Sequence, residues 1–159
     1  HFVTIRQKSL ALPGVVALTH LVHRLGGYVS LVSNRDGSYR DASGSTLAAT
    51  IANLKQQNIV FDQVILANYK TSQHPSDKNP RFNAVIYGHY DSHEMVWSKR
   101  LPPHQVIAYF GDNIQDFPRF KQAAVDALPD DSKTYEVFGA GYFILPNPMY
   151  GSWEANRYH

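Results

Sequence analysis

Cysteine is absent from all 159 residues, which excludes disulfides and thiolate metal sites. That absence assigns no compartment, because cytosolic and exported chains alike can lack the residue. No apolar run approaches the roughly 20 residues that a membrane-crossing helix needs. Charge of one sign is scarce as well: 15 Lys and Arg stand against 13 Asp and Glu, for a formal net charge of +2. The basic residues are scattered rather than gathered in a stripe, so a nucleic-acid polymer is not indicated, while a small anionic ligand stays compatible. There is no internal repeat and no low-complexity tract, and Asp-x-Asp occurs nowhere. Eight histidines are present, yet zinc carries little weight, with His20 and His23 three apart on one predicted helix. The length suits a single domain over residues 1–159, large enough for one buried core.

What is present reads as alternating strands and helices. Pro13-Gly14 opens a helical pattern of Val15, Val16, Leu18, Leu21, Val22 and Leu25, and Gly26-Gly27 closes it. Tyr28 to Val32 reads as a short buried strand ending at Ser33, followed by a polar loop. Ser45 or Thr46 is placed to cap a second helix running to about Gln57. Val64 to Leu66 forms a third apolar run, Arg81 to about Tyr90 a helix, and Gln105 to Phe110 a strand ending at Gly111-Asp112. Asp91 to His104, with two adjacent prolines, looks like a surface excursion. The near-continuous apolar strands predict an α/β fold, a doubly wound parallel sheet with helices on both faces. Ligands of such sheets bind beyond the carboxyl ends of the strands, which is where Ser33, Lys78 and Asp112 fall.

Those positions have a shared chemistry. Asp112 and Asp116, four apart at a strand end, offer the hard oxygens that Mg²⁺ prefers. The blander reading makes Gly-Asp-Asn a turn and Asp116 the N-cap of a helix from Phe117. Ser33 and the amide of Asn34 could donate to phosphate oxygens, or form only a polar turn. Lys78 could supply a fixed positive charge, or be one more solvated lysine beside Lys70 and Lys99. In Leu145-Pro-Asn-Pro-Met-Tyr-Gly-Ser-Trp-Glu154 two prolines preclude regular structure, leaving Tyr150 to stack on a ligand ring or to join Trp153 in the core.

Taken in order, Val32-Ser-Asn-Arg35, Lys78-x-x-Arg81-Phe82, Tyr109-Phe-Gly-Asp-Asn-Ile-Gln-Asp116 and the tail segment resemble the haloacid dehalogenase superfamily. Within it they resemble the class C acid phosphatases, the bacterial lipoprotein 5'-nucleotidases. The resemblance implies a Rossmann-like phosphatase core in which Ser33 and Lys78 serve catalysis. It implies that Asn34, Arg81 and Tyr150 bind the substrate and that Asp112 and Asp116 hold Mg²⁺, Asp116 through coordinated water. The implied substrate is a small phosphomonoester such as a nucleoside monophosphate, and the implied location is the periplasm, outer membrane or cell surface. A homodimer and a separately travelling N-terminal chain are compatible partners. His74-Pro75-Ser76-Asp77 departs from the Lys- and Ser-containing pattern expected just before Lys78.

The larger departure is the Asp-x-Asp nucleophile motif, which the resembled enzymes carry upstream on their central strand. The chain starts at His1, not Met, and the expectation is an active phosphatase whose nucleophile lies on an upstream segment, so that these 159 residues alone are inactive. The alternative is a catalytically inactive nucleotide- or phosphate-binding protein in which Phe2-Val3-Thr4-Ile5 replaces the lost strand. An unrelated doubly wound domain would have to match four ordered motifs by chance.

Overall fold

A computed structural model of the chain describes residues 10–147. The chain divides into two compact units, meeting in sequence at His104 and Gln105. The expected strand substitute, Phe2 to Ile5, lies outside the described residues, as do Tyr150 and Trp153.

The first unit begins with α1 (Val15–Arg24), within the bounds its Pro-Gly and Gly-Gly flanks predict. Next come β1 (Ser30–Asp36), a short hairpin of β2 (Arg40–Asp41) and β3 (Gly44–Ser45), and α2 (Thr46–Gln56). Ser45 does cap α2, its hydroxyl accepting from the Ala48 amide at 3.2 Å. After α2 come β4 (Gln63–Ala67), α3 (Asn79–Tyr87) and β5 (Met95–Trp97). The sheet order is β1-β4-β5, with β1 parallel and β5 antiparallel to β4.

All five residues of β4 are buried, Val64 to Ala67 at 1% exposure or less, so both faces of this central strand are covered. That is why Val64 to Ala67 is continuously apolar rather than alternating. α2 and α3 both pack against it. Its one polar residue, Gln63, is hydrogen-bonded at both ends of its amide. Gln63 Nε2 donates to Ser30 Oγ at 2.8 Å, and the Tyr90 hydroxyl donates to Gln63 Oε1 at 2.7 Å. Burying an amide without such partners would cost on the order of 1–3 kcal/mol.

Three expectations are corrected here. The segment from Asp91 to His104 is not a surface excursion: it supplies β5 and buries Met95 and Leu101 in the core. Its antiparallel pairing makes the sheet mixed, not wholly parallel. β1 does not end at Ser33 either; it runs to Asp36. Ser33 pairs with Leu66 and Asp36 with Ala67, so Asn34 and Arg35 are two extra residues bulged out of the ladder. Gly37 then returns to the sheet, its amide donating to the Ala67 carbonyl at 2.8 Å. A Cβ on Gly37 would sit 2.8 Å from the Leu66 Cβ and 2.9 Å from that of Val96, so only glycine fits this approach.

The second unit contains β6 (Tyr109–Gly111), a 3₁₀ turn at Ile114–Asp116, a single helical turn α4 (Gln122–Val125), a second 3₁₀ segment at Lys133–Val137, and β7 (Tyr142–Ile144). β6 and β7 pair in parallel. The strand expected from Gln105 is shorter, beginning only at Tyr109, and Ile107 is exposed. Phe117, at 1% exposure, is the centre of an aromatic core. It stacks on Tyr142 with ring centroids 5.2 Å apart and meets Phe138 edge-on at 5.0 Å. Such pairs add roughly 0.5–1.5 kcal/mol beyond the area they bury. Among the described residues no helix is long and apolar enough to cross a membrane.

Candidate active site

In the first unit Ser33 is the last paired residue before the bulge in β1, and Asn34 is the first residue of the bulge. Ser33 Oγ accepts from the Arg35 amide at 3.2 Å, an arrangement that leaves the hydroxyl proton to donate elsewhere. Asn34 turns its side chain inward: Nδ2 donates to the Ser76 carbonyl at 3.1 Å, and Oδ1 accepts from Arg81 Nη2. Arg81 Nη1 donates to the Pro75 carbonyl at 3.2 Å. Asn34 and Arg81, 47 positions apart in sequence, are therefore brought into direct contact.

Lys78 stands at the N-cap of α3, half-buried, and its carbonyl accepts from the Phe82 amide at 3.0 Å. Pro80 sits in the first turn of that helix, where its missing N–H is not needed. The loop before Lys78 is fixed residue by residue. The Asp77 amide donates to the His74 carbonyl at 2.9 Å, and Asp77 Oδ1 accepts from the amide and side chain of Asn79 at 2.9 and 2.7 Å. His74 to Asp77, which departs from the expected pattern, thus forms an ordered turn by its own hydrogen bonds.

Arg81 is 1% exposed. Burial pushes its guanidinium down to about 10, while the charges of Asp77, Tyr69 and Glu94 pull the other way. It is therefore still a cation at neutral pH.

In the second unit Asp112 is exposed and Asp116 half-buried. Asp116 is not the N-cap of a helix from Phe117. Asn113 is the cap of the 3₁₀ turn, and Asp116 is the carboxylate that completes a capping box with it. Asp116 Oδ2 accepts from the Asp112 amide at 3.0 Å and the Asn113 amide at 3.2 Å. Asp112 Oδ2 accepts from Asn147 Nδ2 at 2.6 Å. The carboxylates four apart are thus joined through the backbone of one tight turn, and Asn147 from the tail motif orients the first of them. Sequence reasoning passed over Asn147, although its place between two prolines was a usable signal.

Two carboxylates in one turn are hard oxygen donors of the kind Mg²⁺ prefers, since that ion is usually held by one or two carboxylates and keeps several waters. Among the described residues there is no group of three or more acidic, His or Cys side chains that could hold a metal. His20 and His23 do not form a metal centre. His20 Nε2 bonds the Asn58 carbonyl at 3.1 Å, and His23 Nε2 donates to Asp62 at 2.7 Å. His89 and His93, whose spacing of four the sequence argument overlooked, fall in a non-helical segment and share no helix face.

Residues 1–153 match the family described as HAD superfamily, subfamily IIIB (acid phosphatase). No solved structure matches the chain.

Proposed function

We propose, from the premise that the chain belongs to the HAD superfamily, subfamily IIIB acid phosphatases, that it is the larger part of a phosphomonoesterase acting on nucleoside monophosphates or similar esters. The family match over residues 1–153 carries this reading. Ser33, the Asn34 amide and Lys78 bind the phosphate, and Asp112 and Asp116 hold Mg²⁺, which members of the superfamily generally use. When bound, the ion would supply the positive charge that phosphoryl transfer calls for. Lys78 lowers the repulsion between the dianionic ester and the carboxylates around it, and the Ser33 hydroxyl and Asn34 amide fix the phosphate in line for attack.

The attacking group comes from an upstream Asp-x-Asp segment, since none occurs in these residues. Its first carboxylate forms a bond to phosphorus as the ester oxygen leaves, and its second gives that oxygen a proton. Water then attacks phosphorus, the second carboxylate takes its proton, and the aspartyl bond breaks to release inorganic phosphate. β1 supports the addition of such a strand: among the described residues it pairs along one edge alone, with β4, and all seven of its residues are half-buried. Edges of that kind present unpaired amides and carbonyls ready for a further strand. Recognition of a substrate ring by Tyr150, an envelope or cell-surface location, and a homodimer belong to the same proposal, as does an N-terminal segment travelling as a separate chain.

The test compares the full-length gene product with the 159-residue chain on a nucleoside monophosphate and a generic aryl phosphate, with Mg²⁺ and with chelator. The full-length protein should turn over both substrates only with metal, and the 159 residues alone neither. Equal turnover by both proteins would overturn the mechanism. No turnover by the full-length protein would favour the second reading, a phosphate-binding relative without catalysis, which the missing Asp-x-Asp motivates.

A further inference from the structure

Arg81 fits its motif as a phosphate ligand, but its surroundings in the first unit give it different work. The side chain is 1% exposed, and each terminal nitrogen donates to a protein acceptor, Nη1 to the Pro75 carbonyl and Nη2 to Asn34 Oδ1. Asn34 in turn donates to the next carbonyl, that of Ser76. Two side chains, one from the β1 bulge and one from the first turn of α3, therefore hold each other and also hold two successive carbonyls of the loop that leads into Lys78.

Each anchor lies close in sequence to a residue of the anion site. Asn34 directly follows Ser33, and Ser76 stands two residues before Lys78. The fork of a guanidinium suits this task, because it reaches two acceptors in fixed geometry where a lysine ammonium is a point charge. Arg81 Nε is buried and has no hydrogen-bond partner among the described residues, so the arrangement carries a desolvation cost that a solvent-facing phosphate ligand would avoid. Bulges of this kind commonly re-aim side chains beside functional sites, and here the bulge turns Asn34 toward Arg81.

We infer that the buried Arg81 and the half-buried Asn34 form a clamp that sets Lys78 against the Ser33 hydroxyl, so that Arg81 positions the anion site without touching the anion. The inference rests on the phosphatase reading above, and it divides the Lys78-x-x-Arg81 motif into a lysine that meets the phosphate and an arginine that holds the lysine's loop. Arg81 is then a positioning residue.

The experiment is a thermodynamic cycle on the full-length protein, read as affinity for inorganic phosphate by ³¹P NMR titration, with unfolding midpoints measured alongside. Arg81→Met should weaken phosphate binding on the order of 10-fold, the scale expected when site groups are misplaced rather than removed. The same substitution in a Lys78→Ala background should cost almost nothing more. Asn34→Ala, which keeps the backbone amide, should reproduce the loss, and adding Arg81→Met to it should not deepen it. Arg81→Lys should fail to restore affinity, since charge alone cannot bridge both acceptors.

Losses from Arg81→Met and Lys78→Ala that multiply would make Arg81 a direct ligand and overturn the clamp. An Arg81→Met protein that binds phosphate normally would overturn it too. Should Arg81→Met fail to fold, the cycle between Asn34→Ala and Lys78→Ala decides by the same criterion. Wild-type protein that binds no phosphate would overturn the phosphatase reading itself, whereas wild-type binding with a multiplicative cycle removes the clamp alone.

Discussion

Replacing Gly111 by alanine tests whether the turn carrying both carboxylates is as tightly built as the geometry indicates. An alanine Cβ at this position would lie 2.3 Å from the Asp116 Cβ, 2.9 Å from its Cγ and 2.7 Å from its Oδ2. The nearest atom is the root of the Asp116 side chain, so no rotamer change relieves the clash. The Ile114–Asp116 turn must instead move by on the order of 1 Å to reach ordinary carbon contact. Overpacking strain of this kind costs about 1–3 kcal/mol. The same movement breaks the bonds from the Asp112 and Asn113 amides to Asp116 Oδ2. Water can replace part of that loss because Asp112 is exposed, which brings it down to about 1 kcal/mol for the two together.

The expected total is therefore about 2–4 kcal/mol, read as a lower denaturant midpoint for the second unit. Hydrogen exchange at the Asp112 and Asn113 amides should lose its protection, and Mg²⁺ affinity should fall about 10- to 100-fold as the carboxylates lose their orientation. An alanine protein within 0.5 kcal/mol of wild type (the ordinary range of surface substitutions), with both amides still protected, would falsify the reasoning.

Three further outcomes are expected. Asp112→Ala should abolish most Mg²⁺ binding in calorimetric titration while Asp116→Asn loses less, because asparagine keeps one oxygen for the turn's amides; a larger loss from Asp116→Asn would reverse the proposed order. Asp62→Ala removes one oxygen that accepts from both His23 Nε2 at 2.7 Å and the Val29 amide at 2.8 Å, so chemical unfolding should show about 2–3 kcal/mol lost, and an unchanged midpoint would refute the role. The Ser43 side chain and amide bonded to Asp41 hold its carboxyl below the ordinary 3.8. Its folded form thus keeps its charge at a pH where the unfolded chain protonates. The stabilisation is fully present above pH 3.8 and is lost as pH falls through the lower folded value, so an NMR titration giving Asp41 an ordinary or raised midpoint would contradict it.

Much of the first unit was legible because its signals are local. Pro13 and Gly26 bracket α1, Ser45 caps α2 through its own hydroxyl, and the apolar run at β4 is apolar because both faces of that strand are covered. β5 was not legible, since Met95–Trp97 is only three residues long and its burial depends on pairing with a strand about thirty positions earlier. The bulge at Asn34 and Arg35 was hidden for a similar reason. Register is a relation between two strands, and nothing in Ser-Asn-Arg distinguishes a strand end from two residues bulged out of a ladder.

The sequence by itself determined the family, because its motifs are short, ordered stretches that can be read without knowing the packing around them, and the family match over residues 1–153 agrees. What only the tertiary structure decided is how the motif residues divide the work. Arg81 is buried against Asn34 and two loop carbonyls, and Asp116 spends one oxygen on the amides of its own turn. A residue type fixes which hydrogen bonds a side chain can make. Whether its partner is solvent, ligand or backbone depends on which distant segments the fold brings within about 3 Å, the reach of a hydrogen bond, and residue spacing carries no record of that.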